Sequence, residues 1–141
     1  MNIVSAHVLK YYRSLWGDPD RAAQFTRDDR EVRVFKWAPE QTGEGVTLYT
    51  TVGISDQPIG PAAPSHRVEV ILGLLPEDDR IVRPLGVLAL SSTPDDPYLF
   101  HGHTVSMPTP FWPGCPFSAF LFLNPLDSIV PPIQHNTVHV P

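Results

Sequence analysis

The chain has 141 residues, 42% of them hydrophobic and 18% charged, with a formal charge of −5. This composition suits one domain with a hydrophobic core and excludes a largely disordered polypeptide. The acidic balance disfavours direct nucleic-acid binding, which needs a basic surface, and is compatible with a basic protein partner.

The cysteine content and the hydropathy predict where the protein works. Cys115 is the only cysteine, so an internal disulfide is impossible and a reducing compartment is expected. The N-terminus lacks the basic start and apolar core of a signal peptide, and no apolar run reaches the 18 residues of a membrane span. We therefore expect a cytoplasmic protein without membrane contact, folded as a single domain over residues 1–141.

The first predicted element is an amphipathic helix near the N-terminus. Gly17 stands at the expected C-cap, and Pro19 prevents the helix from continuing. The apolar residues recur at spacings of three and four and form one stripe that should pack on a sheet: Val4, Val8, Tyr11, Tyr12 and Leu15.

Three strands are predicted next, over residues 31–37, 46–54 and 66–74. In the second, Val46, Leu48, Thr50, Val52 and Ile54 alternate with polar residues, which indicates one apolar face. In the third, Arg67 and Glu69 lie opposite the apolar residues. A proline-rich loop of about ten residues, 56–65, joins the second and third strands and permits an antiparallel pair.

The second half of the chain predicts one more helix and several strands. Ile81, Leu85 and Leu88 have helical spacing after the acidic residues 76–79, and Pro84 is tolerated if it lies in the first turn. Strands are expected at 98–107 with an interruption at Gly102, at 117–123 as a central buried strand, and at 129–132 and 137–140. The resulting fold class is α+β, a mixed and mainly antiparallel sheet with two helices packed on it and long proline-rich loops.

Two groups of residues are candidates for chemistry. His101 and His103 share one side of a strand and, with His135, could ligate zinc or iron in a small metal-dependent enzyme. No acidic ligand follows His103, and hydrogen-bonded histidines are the simpler interpretation. Cys115 is best interpreted as a small buried hydrophobic residue. No phosphate-binding, nucleotide-binding or hydrolase motif occurs, so neither a catalytic set nor a cofactor is predicted.

Four segments together resemble the suppressor-of-fused family in its short bacterial single-domain form. They are residues 15–19 (LWGDP), 51–55 (TVGIS), 67–72 (RVEVIL) and 101–105 (HGHTV). The residues that carry the resemblance are expected to be structural: Thr51, Gly53, Ser55, Glu69, Gly102 and His103. Members of the family continue past the position of Val140, so the C-terminal end is expected to be shortened or truncated.

The resemblance implies a non-enzymatic α+β domain that binds another protein. Bacterial relatives of this form are thought to be immunity proteins, each of which neutralises a cognate polymorphic toxin, often a nuclease. An adaptor or chaperone that grips an extended peptide by strand addition is a further alternative.

The partner-binding residues expected from the sequence lie on one acidic turn and one proline-rich loop. They are Glu77, Asp78 and Asp79 on the turn, and Phe111 and Trp112 on the loop. Most acidic pairs in turns are only solvated, so these positions are hypotheses about a surface for a basic partner.

Overall fold

The structure is a computed structural model that describes residues 3–57, 67–91, 104–121, 133–135 and 138–140. The α+β class predicted from the sequence is confirmed by an antiparallel four-stranded sheet with helices on it. In chain order the elements are α1 Ile3–Trp16, β1 Arg21–Arg27, β2 Arg30–Trp37, α2 Pro39–Thr42, β3 Thr47–Val52, β4 Ile71–Leu74, α3 Val82–Ser91, β5 Thr104–Ser106, β6 Ala119–Leu121, β7 Ile133–His135 and β8 Val138–Val140.

The four-stranded sheet has the order β1-β2-β3-β4 with every neighbour antiparallel. The antiparallel pairing that the loop length permits for the second and third predicted strands is present, since Tyr49 of β3 lies opposite Leu72 of β4. Strand β1 was not predicted, because only Ala23 and Phe25 in it are even half-buried. The third strand begins at Ile71, five residues later than expected, and residues 67–70 belong to no helix or strand.

Helices cover both faces of the sheet. On one face, Phe35, Trp37, Leu48 and Val52 pack against the predicted stripe of α1, of which Val4, Val8 and Tyr12 are buried. On the other face, a second cluster joins the sheet to α3 and the short 3-10 helix Asp79–Ile81 that precedes it. Its buried members are Val34, Tyr49, Ile81, Leu85, Leu88 and Phe120.

Strand β3 is therefore buried along its whole length, and the expectation of a single apolar face was wrong. Its polar residues tolerate burial because they are hydrogen-bonded. The Trp37 Nε1–H donates to Thr50 Oγ1 at 2.8 Å, and the Thr51 hydroxyl is bonded on both sides. Buried hydroxyls with partners carry little desolvation penalty.

The C-terminal strands form two further hairpins in the part of the chain that the structure describes. The expected central strand at 117–123 was wrong for its described residues: β6 pairs with β5 alone there, and only Phe120 of β6 is buried. The predicted strand at 137–140 is confirmed as β8. The strand predicted at 129–132, residues 98–103 and most of the 56–65 loop lie outside the described residues. None of the described helices is long and apolar enough to cross a membrane.

Helix α3 approaches the sheet closely at Gly86. A Cβ atom at this position would lie 2.5 Å from the ring of Phe25 in β1. Pro84 lies in the first turn of α3, as predicted.

We predict that Gly86→Ala lowers the free energy of unfolding by at least about 1 kcal/mol, although alanine favours a helix by about that amount over glycine. In a Phe25→Ala background, where the ring is gone, the same substitution should be neutral or stabilising. Urea unfolding of the four proteins gives the coupling between the two positions. Equal effects of Gly86→Ala in both backgrounds would show that the two residues are not in tight contact.

Candidate functional site

A buried carboxylate joins the end of β3 to the segment before β4. Glu69 Oε1 accepts from the Thr51 hydroxyl at 2.8 Å and the Ile54 N–H at 3.2 Å. Its Oε2 accepts from the Gly53 N–H at 2.8 Å and from the Ser55 N–H and hydroxyl at 3.1 and 2.6 Å. Five donors from one short segment of chain thus converge on a single side chain.

The backbone at Gly53 makes this convergence possible. Its φ is +133°, a conformation that side chains rarely adopt, and an added Cβ would lie 2.7 Å from the Glu31 carbonyl oxygen of β2. Glycine is therefore required where the chain leaves β3 and turns three N–H groups toward Glu69. Arg67 holds the far side of the turn by donating to the Ser55 carbonyl at 2.9 Å.

The electrostatics of Glu69 reflect two opposed effects. Burial raises the pKa of Glu69 and the hydrogen bonds from Ser55, Gly53 and Thr51 lower it, and the net result is a rise from 4.5 to about 7. Desolvation is the larger effect because the side chain has almost no contact with water.

A second charged cluster lies on the α3 face of the sheet, around Lys36. The Lys36 side chain is only 9% exposed, and its Nζ lies 2.6 Å from Glu77 Oε2 and 2.8 Å from Asp79 Oδ1. Asp79 also accepts from the Tyr49 hydroxyl at 2.9 Å and from Arg21 at 3.0 Å. The Asp79 carboxylate is thus held by one donor from each of three strands, β1, β2 and β3.

The pKa values in this cluster follow from those contacts. The hydrogen bond from Lys36 holds the pKa of Asp79 below its usual value. The carboxylates of Asp79 and Glu77 in turn raise the pKa of Lys36. Burial, together with the bond to Asp79, raises the pKa of Tyr49 to about 12. Lys36 and Asp79 therefore stay charged throughout the physiological pH range.

The acidic turn and the proline-rich loop meet at Arg80. Its guanidinium forms a double hydrogen bond with Asp78, at 2.9 and 2.7 Å, and lies 4.8 Å from the ring centroid of Trp112. Phe111 beside it stacks on Phe120 with 4.5 Å between ring centroids. The five residues expected to bind a partner are therefore adjacent, and we call them the acidic–aromatic surface: Glu77, Asp78, Asp79, Phe111 and Trp112.

The other predicted residues divide between described and undescribed positions. The structure brings Thr51, Gly53 and Ser55 together around the carboxylate of Glu69. His101, Gly102 and His103 lie outside the described residues, and only the backbone of His135, in β7, is described. Within the described ranges no three His, Cys, Asp or Glu residues are grouped to hold a metal ion. Cys115 is buried, as predicted.

Sequence reasoning missed Lys36, Arg21 and Tyr49. The one available signal was the position of Lys36 between Phe35 and Trp37, two large apolar residues of a strand whose Val34 is also buried. A lysine in such a setting needs an acid nearby in space, but its partners are about forty residues further along the chain.

A comparison with known protein families gives a match over most of the chain. The sequence profile of the family described as suppressor of fused protein (SUFU) matches residues 28–141, a range that includes Glu69, Lys36, Glu77 and Asp79. No curated protein and no solved structure matches it significantly.

We predict an opposite pH dependence for the two carboxylate sites. Because the pKa of Glu69 is raised in the folded state, the free energy of unfolding of wild type exceeds that of Glu69→Gln by the largest margin below pH 4.5. This margin should fall by up to about 3 kcal/mol as the pH rises through 7. Urea unfolding at pH 4.5, 6 and 8 measures this difference.

Asp79→Asn is the matched comparison, because the pKa of Asp79 is lowered in the folded state. The advantage of wild type over Asp79→Asn should be present at neutral pH and disappear as the pH falls through the acidic range. If the advantage over Glu69→Gln instead grows with pH, Glu69 is not the desolvated carboxyl described above.

Proposed function

The chain belongs to the suppressor of fused protein (SUFU) family, and from that premise we propose that it is an immunity protein that binds and neutralises a cognate bacterial toxin. The family consists of non-catalytic regulators that act by protein interaction. The proposal goes beyond that membership in naming the class of partner, for which a basic toxin such as a nuclease is the leading choice.

The observation that carries the proposal is the acidic–aromatic surface. It combines two features of protein-binding surfaces, an aromatic anchor and fixed charges. The Glu77 side chain is 59% exposed although its carboxylate is held by Lys36. Trp112 is half-buried beneath Arg80, and Phe111 is half-buried against the core. Such a surface is organised before the partner arrives, which lowers the entropy lost on binding.

The charge arrangement also favours binding over acid–base catalysis. Glu77 and Asp79 face Lys36, and Asp78 faces Arg80. A general acid or base needs a pKa near neutrality, whereas the pKa values of Asp78 and Asp79 are lowered by these cations. Because each carboxylate is paired with a cation of the chain, the surface offers ionised acceptors in fixed positions, and the exposed Glu77 is the one most open to a basic group of a partner, such as a protein that contacts nucleic-acid phosphates.

Co-expression tests the proposal directly. The product of a neighbouring toxin-like gene is expressed in a host with and without this chain, and we expect growth to be rescued only when both are present and a stable complex to be purified. Absence of rescue together with absence of a complex would contradict the immunity role.

We predict that Glu77→Gln with Asp78→Asn weakens binding of a basic partner by roughly 3–10-fold at low salt and reduces the salt dependence. Asp79 is left in place so that Lys36 keeps an ion pair. Binding kinetics at 50 and 300 mM salt give the measurement, and the main change should be in the association rate.

The matched control is Asp28→Asn with Asp29→Asn, in the turn between β1 and β2. It changes the net charge equally but lies at the other end of β1, roughly 20 Å away along the strand. Equal weakening by both double variants would assign the effect to overall charge and remove the acidic–aromatic surface from the interface.

A further inference from the structure

A cavity of about 250 Å³ opens between β1 and the start of α3. Its origin is the alternation along β1: Arg21, Ala23 and Phe25 point to the α3 face, and Phe25 fills the space beside Gly86. Ala23 is too small to fill the next space along the strand. The cavity is lined by Arg21, Ala22, Ala23, Val34, Lys36, Asp79 and Val82.

The lining has an apolar part and a charged part. Ala23 of β1, Val34 of β2 and Val82 of α3 provide aliphatic walls, while Lys36, Asp79 and Arg21 provide polar atoms. The Lys36 side chain is nine-tenths buried, with its Nζ on Asp79. A binding pocket is typically a mainly apolar concavity that contains a few polar groups at fixed positions.

The charged part restricts what the pocket can accept. Arg21 and Lys36, the two cations of the lining, both lie within 3.0 Å of Asp79, its one carboxylate, so an ionic ligand of either sign would have to compete with an existing ion pair. A neutral group that both donates and accepts hydrogen bonds can join these groups without breaking a pair. A phenol hydroxyl is such a group, and the chain itself provides an example, since the Tyr49 hydroxyl donates to Asp79 at 2.9 Å.

The volume of the cavity suits a ligand with a single aromatic ring. An apolar cavity of about 150 Å³ holds one benzene molecule, so about 250 Å³ admits a phenyl ring together with its hydroxyl and the first carbon of a side chain. The aliphatic walls suit the ring, and the charged rim suits the hydroxyl.

We propose that this cavity is an anchoring pocket for a tyrosine side chain of the partner protein. This rests on the proposed protein-binding function and extends the acidic–aromatic surface, since Asp79 belongs to both. Among the described residues β1 has no strand on its outer side, so an extended segment of the partner can run along β1 while its tyrosine enters beside Ala23.

The test uses p-cresol, the side chain of tyrosine, as the probe, and toluene as the probe without a hydroxyl. Backbone amide NMR shifts of the ¹⁵N-labelled protein are followed during each titration. We expect p-cresol to saturate with a roughly millimolar dissociation constant and to shift Ala22, Ala23, Val34 and Val82 most. Toluene should bind at least about 5-fold more weakly, since it leaves the polar rim unmatched.

Variants of β1 separate the pocket from the rest of the surface. Ala23→Leu fills the cavity and should weaken p-cresol binding at least 10-fold; Ala23→Val is the smaller alternative if the leucine variant does not fold. Thr26→Val lies on the same strand and points to the opposite face, so it should bind p-cresol like wild type. The pocket would be overturned by any of three results: p-cresol shifts that do not saturate, shifts that fall on residues away from the cavity, or a folded Ala23 variant that binds p-cresol as tightly as wild type.

The titration needs no cognate toxin, so its outcome is independent of the co-expression test. Saturable p-cresol binding that Ala23→Leu removes supports the pocket even if no toxin is rescued, in which case the class of partner is wrong. A toxin complex whose affinity is unchanged by Ala23→Leu overturns the pocket and leaves the immunity role intact.

Discussion

The carboxylate of Glu69 is the constraint on which the sheet depends. It is the common acceptor for the end of β3 and for the short 3-10 helix Ile54–Asp56 that follows. Without it, three backbone N–H groups would be buried with no acceptor, each at a cost of about 1–3 kcal/mol. Because Gly53 presses on β2 at the same point, this one side chain fixes β2, β3 and the segment before β4 relative to one another.

The Lys36 cluster likewise fixes several elements relative to one another, at the other end of the sheet. Asp79 receives hydrogen bonds or ion pairs from β1, β2 and β3 through Arg21, Lys36 and Tyr49. It thereby fixes the start of α3 on the sheet. The difference between the two sites is their exposure: Glu69 is sealed inside, whereas Asp79 and Glu77 remain partly in water. The first therefore has a structural role, whereas the second is exposed enough to belong to the partner-binding surface that we propose.

Much of this architecture follows from local sequence signals. The apolar stripe of α1, the pairing of β3 with β4 and the tolerance of Pro84 in α3 need only periodicity and stereochemistry. The features that could not be predicted from the sequence depend on contacts between residues that are far apart in the chain. Strand β1 carries little apolar signal because it lies at the edge, and β3 looks one-sided because the hydrogen bonds that allow Thr50 and Thr51 to be buried come from other strands.

The same limit applies to the polar residues of the site. Glu69 was expected on the polar face of a strand, and its donors sit fourteen or more residues earlier in the chain. Glu77, Asp78 and Asp79 were singled out as a group, but Lys36 and Arg21, the cations that pair with Glu77 and Asp79, were not predicted, because they lie about forty or more residues earlier in the chain. The family resemblance supplied what periodicity could not, by marking residues 51–55 and 67–72 as belonging together.

The central claim is that the carboxyl of Glu69 is buried and held by the backbone of residues 53–55. Its most direct test is a pH titration of the Glu69 side-chain carboxyl carbon by ¹³C NMR, with the amide protons of Gly53, Ile54 and Ser55 followed in the same samples. The structure predicts a midpoint near pH 7 and amide shifts that share it. A midpoint near the ordinary value of 4.5, with amide protons that do not respond, would contradict the account.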